Sequence, residues 1–465
     1  MMRISTRPLS SALWTRLPPG RKVYGFFTIA CRTTNSASSS IPSEPTVKLN
    51  AVRSCLGLAI VVATIIATGH AQTPAQDWPQ WRGSSRTGEV TKGQAPAAWP
   101  ATWQARWRAE VGEGYASPVV AGGRVFVHSR RDPLEVVMAL DAATGKPVWE
   151  KTYDAAFKKN QYANAMAKGP NATPLVSNGK LFTIGVTGIV TAWDAATGRQ
   201  LWQRDFSKTV DSSKLFCGTA ASPILAHGLV VVQVGSDIHG GQIVGLDPAT
   251  GAAKWTWTGP GPGYASPILI DIAGTSQLVT MTNSSVVGVN ARTGAALWSV
   301  PFPDEWHENI VTPVWTGTHL IVSGTRQGTH AYTVARTGEK WVATQAWKNA
   351  DVAMYMSSPV LADGILFGLS AKRKGQFVAL DAKTGTLKWS SEGRNADHAS
   401  VLYTPTHVVY LTSTGDLMLF KRDAGSFTSD RQYEVAKSAT FAPPLFVEGD
   451  LFVRDATGVT RLKGA

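Results

Sequence analysis

The turn Asp141-Ala142-Ala143-Thr144-Gly145, with Trp149 four residues after its glycine, recurs along the chain, and that recurrence limits the possible folds more than any other feature. Copies stand at Asp194-Ala195-Ala196-Thr197-Gly198 with Trp202, Asp247-Pro248-Ala249-Thr250-Gly251 with Trp255, Asn290-Ala291-Arg292-Thr293-Gly294 with Trp298, and Asp381-Ala382-Lys383-Thr384-Gly385 with Trp389. Self-similarity at a period of roughly 20–50 residues means stacked copies of one supersecondary unit. In each copy an apolar run leads into the Asp and a second short run carries the Trp, so the motif reads as a hairpin turn. The carboxylate accepts hydrogen bonds from N–H groups two or three residues on, and the glycine takes a positive φ. A buried Trp removes ~150–250 Å² from water, so one per unit is expected to anchor each unit to its neighbour.

A second marker counts the units. An apolar strand with Pro near its start follows Ala116-Ser117-Pro118, Ala172-Thr173-Pro174, Ala221-Ser222-Pro223, Ala265-Ser266-Pro267, Val311-Thr312-Pro313, Ser357-Ser358-Pro359 and Ala442-Pro443-Pro444, with a weaker copy at Ala399-Ser400-Val401. That gives eight units. The last has room for only three strands, at 442–447, 451–455 and 459–462. The stretch 103–110 alternates apolar and polar residues as a half-buried strand does, and no hairpin partner precedes it. The expectation is an all-β, eight-bladed β-propeller of four-stranded blades, closed by this N-terminal strand joining the last blade, which removes an open edge.

The formal charge of +13 invites a nucleic-acid reading, but residues 1–71 hold eight of the 45 Lys and Arg and only one Glu. About half of the excess therefore belongs to a targeting segment. Residues 48–71 read as a secretory signal: Lys48 and Arg53 start it, 55–68 are apolar, and Gly69-His70-Ala71 is a small-residue cleavage site. The apolar stretch is too short for a stable membrane span. The expected organisation is an extension and signal at 1–71, an extended arm at 72–100 and the propeller at 101–465, periplasmic or secreted after cleavage near Ala71 and monomeric. A misassigned start codon or an unusually long leader would account for the first 47 residues. Of three cysteines only Cys217 follows the cleavage site, so no intrachain disulfide is expected.

Repeats reading Leu140-Asp141-Ala142-Ala143-Thr144-Gly145 with Trp149 resemble those of the pyrroloquinoline quinone (PQQ)-like propeller superfamily. That superfamily includes quinoprotein alcohol dehydrogenases and the propeller lipoprotein that assists outer-membrane protein assembly. The resemblance covers about residues 77–465, and Trp78-Pro79-Gln80-Trp81-Arg82-Gly83 further resembles secreted bacterial PQQ-like repeat proteins. It implies either a ligand- or protein-binding and assembly module with an envelope protein as partner, or a PQQ-dependent oxidoreductase acting on alcohols or sugars with calcium. The chain departs from the dehydrogenases in lacking adjacent cysteines and a recognisable calcium site. It departs from the assembly lipoprotein in that Cys55 begins the apolar stretch rather than following it.

In a propeller, the loops leading into the innermost strands share one face with those joining the second and third strands, around the central channel. The first set is expected to bring Glu113, Tyr115, Asn171, Thr219, Tyr264, His307, Glu308, Asn309, Tyr355, Asn395, Asp397 and His398 to the mouth. The second adds Arg130, Arg131, Asp237, His239, Arg326, Gln327, His330, Lys372, Arg373 and Lys374. Cations predominate, which favours an acidic small molecule or an anionic protein surface. Lys372-Arg373-Lys374 alone is too short to indicate nucleic acid. His307 beside Glu308 and Asp397 beside His398 are the acid/base candidates. Asp237 with His239 is the most metal-like pair, but it lacks the multi-ligand spacing of a metal site. No catalytic residue is assigned.

Overall fold

In the computed structural model, residues 76–158, 168–210, 215–237, 239–422 and 425–465 are described. The expected signal and its cleavage site lie outside them. Thirty-two strands form eight four-stranded antiparallel sheets arranged as a β-propeller, and the one α-helix among the described residues is the single turn Ser207–Val210. Blade one runs outward from the axis as Val119–Ala121, Arg124–Arg131, Leu134–Asp141 and Pro147–Asp154. The last sheet takes its outermost strand from the start of the chain: Trp103–Glu110 pairs antiparallel with Gly458–Gly464. Clasping first to last in this way gives the last blade its fourth strand and closes the ring.

The recurring turn locks each blade to the one before it. Asp141 Oδ1 accepts from the Thr144 backbone N–H and from its hydroxyl, both at 2.8 Å, and Asp194 does the same with Thr197 at 2.9 and 2.8 Å. Gly145, Gly198 and Gly251 then take φ of 71°, 70° and 71°, conformations that a side chain resists. A tryptophan of the preceding blade also lies flat on each glycine. A Cβ at Gly145 would fall 2.6 Å from the Trp107 ring, one at Gly198 2.7 Å from Trp149, and one at Gly251 2.7 Å from Trp202. The indole N–H of each Trp completes the contact by donating to a carbonyl of the same turn: Trp107 to Ala142 at 3.0 Å, Trp149 to Ala195 at 3.1 Å and Trp202 to Pro248 at 3.2 Å. Trp107 sits in the closing strand, so the anchor crosses the seam of the ring as well. Each buried ring contributes a few kcal/mol at ~25 cal/mol per Å².

Blades four and five break the pattern. Blade five replaces the motif with a long hairpin, Gly328–Thr337 against Lys340–Asn349, so Trp298 of blade four has no turn glycine of the next blade to cover and donates instead to Gln277 Oε1 at 2.7 Å. Trp347, outside the motif copies, takes over as the anchor onto Gly385.

The Ser/Thr-Pro marker proves to be a hydroxyl belt around the channel. Proline gives the innermost strand no N–H at its start, and the hydroxyl just before it accepts from the preceding blade. The Ser117 N–H donates to Thr173 Oγ1 at 3.2 Å, that of Thr173 to Ser222 Oγ at 3.0 Å, that of Ser222 to Ser266 Oγ at 3.0 Å, and that of Thr312 to Ser358 Oγ at 3.0 Å. Ser117 Oγ donates back across the seam to the Pro443 carbonyl at 2.8 Å.

Candidate functional site

The innermost strands leave N–H and C=O groups directed at the axis, and the amino-terminal arm satisfies them. Trp78 exchanges two backbone bonds with Val120 of blade one, the Pro79 carbonyl accepts from Val176 of blade two, and Gly88 and Val90 bracket Tyr403 of blade seven. Between these contacts Arg82 and Arg86 enter the channel base. Arg82 Nη2 donates to the Pro359 carbonyl at 2.6 Å, and Arg86 donates to the carbonyls of Pro267 at 3.2 Å and Pro223 at 2.9 Å. Neither guanidinium has a carboxylate partner among the described residues. Burial pushes the pKa of Arg82 down to about 10 and that of Arg86 down to about 9, the latter helped by Arg82 beside it. Both remain cations, held by carbonyl dipoles. The arm is thus a plug that caps the bare edges of several blades at once.

Above the plug lies a chamber of about 360 Å³. Trp81 of the arm lines it, whereas Gln80, Arg82 and Arg86 line a separate lower cavity. The wall is built from one residue per blade, three positions before the marker residue that starts each innermost strand: Tyr115, Asn171, Ala220, Tyr264, Ile310, Met356, His398 and Phe441. Phe216, Cys217 and Glu308 complete it from the longer loops, with Ser266, Thr312 and Ser358 of the hydroxyl belt below. Tyr115 packs on Phe441 with ring centroids 4.7 Å apart, and His398 stacks on Phe441 at 5.3 Å.

Among the described residues, Glu308 is the one carboxylate in the lining, and the lining includes no Lys or Arg. Burial raises the Glu308 pKa, with nearby Asp304 adding to the rise, against a 2.6 Å hydrogen bond from the Tyr355 hydroxyl. Burial likewise pushes the Tyr264 and Tyr355 hydroxyls well above their ordinary range. His398 is forced down to about 4, so it is a neutral ring at pH 7. Thr312 Oγ1 and Trp81 Nε1 are buried without a hydrogen-bond partner.

Of the residues singled out from sequence, Tyr115, Asn171, Tyr264, Tyr355 and His398 line the chamber together. Glu308, the acid/base candidate beside His307, lines it too, and the others stand outside the lining. The Glu113 backbone pairs with Arg130, and His307 lies 3.3 Å from Asp237 on the surface. Asn309 is buried, its amide donating to the Thr282 and Phe302 carbonyls at 2.8 Å each, so it fastens the loop between blades four and five. Arg326 pairs with Glu305, while Arg373, at φ 51°, and Asp397 are exposed. Two loop expectations are corrected. Arg130 is buried, bonded to Asp132 at 2.7 Å and to the Ala155 carbonyl at 2.7 Å, and His330 lies within a strand and is nearly buried. The most enzyme-like cluster, Glu135 with His128 at 3.1 Å and Tyr153 at 2.5 Å, is a buried clasp between blades one and two, where Glu135 Oε1 also accepts from the Val186 N–H.

These features define the class: a ring-closed, eight-bladed PQQ-type propeller with a plugged channel and an aromatic chamber at one mouth. The chain belongs to the family whose model is described as outer membrane protein assembly factor BamB, which matches residues 97–279, 135–391 and 282–460. It is 25% identical to outer membrane protein assembly factor BamB of Yersinia pestis over 75% of this chain and 74% of that protein. It is 35% identical to 1-butanol dehydrogenase (cytochrome c) of Thauera butanivorans over 32% of this chain, but the match spans only 21% of that protein's length. The quinohemoprotein alcohol dehydrogenase of Comamonas testosteroni has a similar fold, with a TM-score of 0.61 and 15% identity over 83% of this chain and 80% of that one.

The chamber does not fit the cofactors that the dehydrogenase likeness implies. PQQ carries three carboxylates, and among the described residues no Lys or Arg lines the chamber to receive them. Calcium takes six to eight oxygen ligands, usually with several carboxylates. Here Glu308 is alone, and among the described residues no group of three His, Cys, Asp or Glu side chains is placed to hold a metal ion.

Proposed function

We propose that this chain is an exported binding and assembly module of the cell envelope that engages a protein partner at the channel mouth. One observation carries the reading. In the loop beside the chamber Trp306 is 67% exposed, more than any other large apolar side chain among the described residues, and the Arg326 guanidinium sits 5.7 Å from its ring centroid. Trp and Arg, with Tyr, are the side chains most enriched at interface hot spots. The BamB relatives support a partner of the protein class.

The test uses the full chain as bait against envelope extract. Trp306→Ala and Arg326→Glu, each with an unchanged melting temperature, should lower recovery of a specific partner about tenfold or more. Equal recovery by both variants would sink the reading.

A second reading, oxidation of an alcohol or sugar by a PQQ enzyme, is favoured by the fold likeness to the Comamonas testosteroni dehydrogenase. Saturable, calcium-dependent PQQ binding with dye-linked alcohol oxidation would replace the first reading with it.

A further inference from the structure

The sequence places many cations around the mouth, but the chamber inside has the opposite character. Arg326 is paired with Glu305, Arg130 with Asp132, and Arg131 with Glu150 at 2.8 Å, all outside the lining. Arg82 and Arg86 belong to the cavity below Trp81, where channel carbonyls occupy their N–H groups. A further buried guanidinium, Arg454, lies behind Tyr115, with Nη1 bonded to the Ala116 and His128 carbonyls at 3.0 and 2.7 Å. Among the described residues, what faces the chamber is the six rings of Trp81, Tyr115, Phe216, Tyr264, Tyr355 and Phe441, the neutral ring of His398 and one carboxyl, that of Glu308.

We infer that the chamber is a binding site for a small alkylammonium cation, a quaternary or fully alkylated amine of choline-like size. This rests on the reading that the mouth is the binding face. The negative faces of several aromatic rings attract a cation that is too weakly hydrated to prefer water, and the attraction grows when the site excludes solvent. Glu308 supplies the counter-charge. Its carboxyl sits half-buried at the wall, fixed by the Tyr355 hydroxyl at 2.6 Å, so the anion is preorganised and no cationic side chain of the described lining neutralises it. An anionic ligand would meet aromatic faces and a carboxylate, and gains nothing there. The volume of about 360 Å³ accepts a ligand of this size with room for substituents. The two partnerless polar atoms, Thr312 Oγ1 and Trp81 Nε1, lie within the same lining.

The experiment is isothermal titration of the full chain with three probes: benzyltrimethylammonium, its neutral carbon isostere in which a tert-butyl group replaces the trimethylammonium, and benzoate. The cation should bind at one site, about tenfold or more tighter than the isostere, and benzoate should not bind. Glu308→Gln should weaken the cation about tenfold and leave the isostere unchanged, while Tyr264→Leu weakens it by a similar factor. Equal binding of cation and isostere, preference for benzoate, or no saturation by the cation up to about 10 mM would overturn the inference. The probe comparison on the unaltered chain does not depend on how the variants fold. Loss of alkylammonium binding with partner capture intact would remove this inference alone, and the converse would remove only the docking role of the mouth.

Discussion

The rim of the propeller and its axis are built by different rules. At the rim a five-residue turn and a tryptophan are copied, and Trp107, Trp149 and Trp202 make the same contact: an indole lying on the next blade's glycine, with its N–H on that turn's carbonyl; Trp255 covers Gly294 without that bond. At the axis one position is held by a different set of residues, from Ala220 to Tyr264, and the other end of the channel is filled by a segment that is not a repeat at all. Repetition gives the rim stability by summing like interfaces. Variation at the axis gives the chamber a shape and a charge that no blade has alone.

The comparison is broken most directly at a rim glycine. Gly198→Val forces a β-branched residue to φ 70° and places its Cβ 2.7 Å from the Trp149 ring, so a loss of about 3–5 kcal/mol is expected in urea denaturation. Gly179 sharpens the point, having φ 71° but nothing within 4 Å of the place an added methyl would take, so Gly179→Ala should cost only about 1 kcal/mol. At the axis, Arg86→Met leaves the Pro223 and Pro267 carbonyls without donors, and about 2 kcal/mol should be lost.

The two regions should also fail in different pH windows. His398 titrates near 4 when folded and near its ordinary 6.5 when unfolded. The unfolded chain therefore binds the extra proton first, and stability that is full above 6.5 falls by roughly 3 kcal/mol as the pH drops to 4. The rim carboxylates Asp141 and Asp194 are held below 3.8, chiefly by the Thr144 and Thr197 hydroxyls, so their contribution is present above 3.8 and is lost only as the pH falls further. Denaturation curves at stepped pH should show both phases, and His398→Gln should abolish the upper one alone. The smallest effect belongs to the surface: Lys388→Ala removes a 3.5 Å ion pair with Asp381 and should leave stability within about 0.5 kcal/mol.

The rim was legible because its physics is local. Turn chemistry, a positive-φ glycine and a large apolar ring each leave a mark in a window of ten residues; the eight-fold count came from the proline marker of the inner strands, and the closing strand from the alternation at 103–110. What the motif does not reveal is direction, since Trp149 serves Gly198 of the following blade rather than the turn beside it in sequence. The chamber was legible in part. Tyr115, Tyr264 and His398 stand three positions before Pro118, Pro267 and Val401, and alignment on those markers would have added Ala220, Ile310, Met356 and Phe441. Trp81 and the buried Arg82 and Arg86 were not legible as channel residues, because the channel carbonyls that hold these arginines lie 136 to 277 residues away. The expected cationic mouth overlooked pairing: Arg326 and Arg131 each had a carboxylate within reach that sequence position does not disclose.

The central claim is that the rim holds the molecule together while the mouth does its work. A photo-crosslinking residue placed in producing cells at Trp306 on the mouth, and separately at Val148, which is 46% exposed on the rim, tests it directly. The account predicts one saturable adduct with an envelope protein from position 306 and none from 148. Adducts from 148 alone, or the same adducts from both positions, would contradict it.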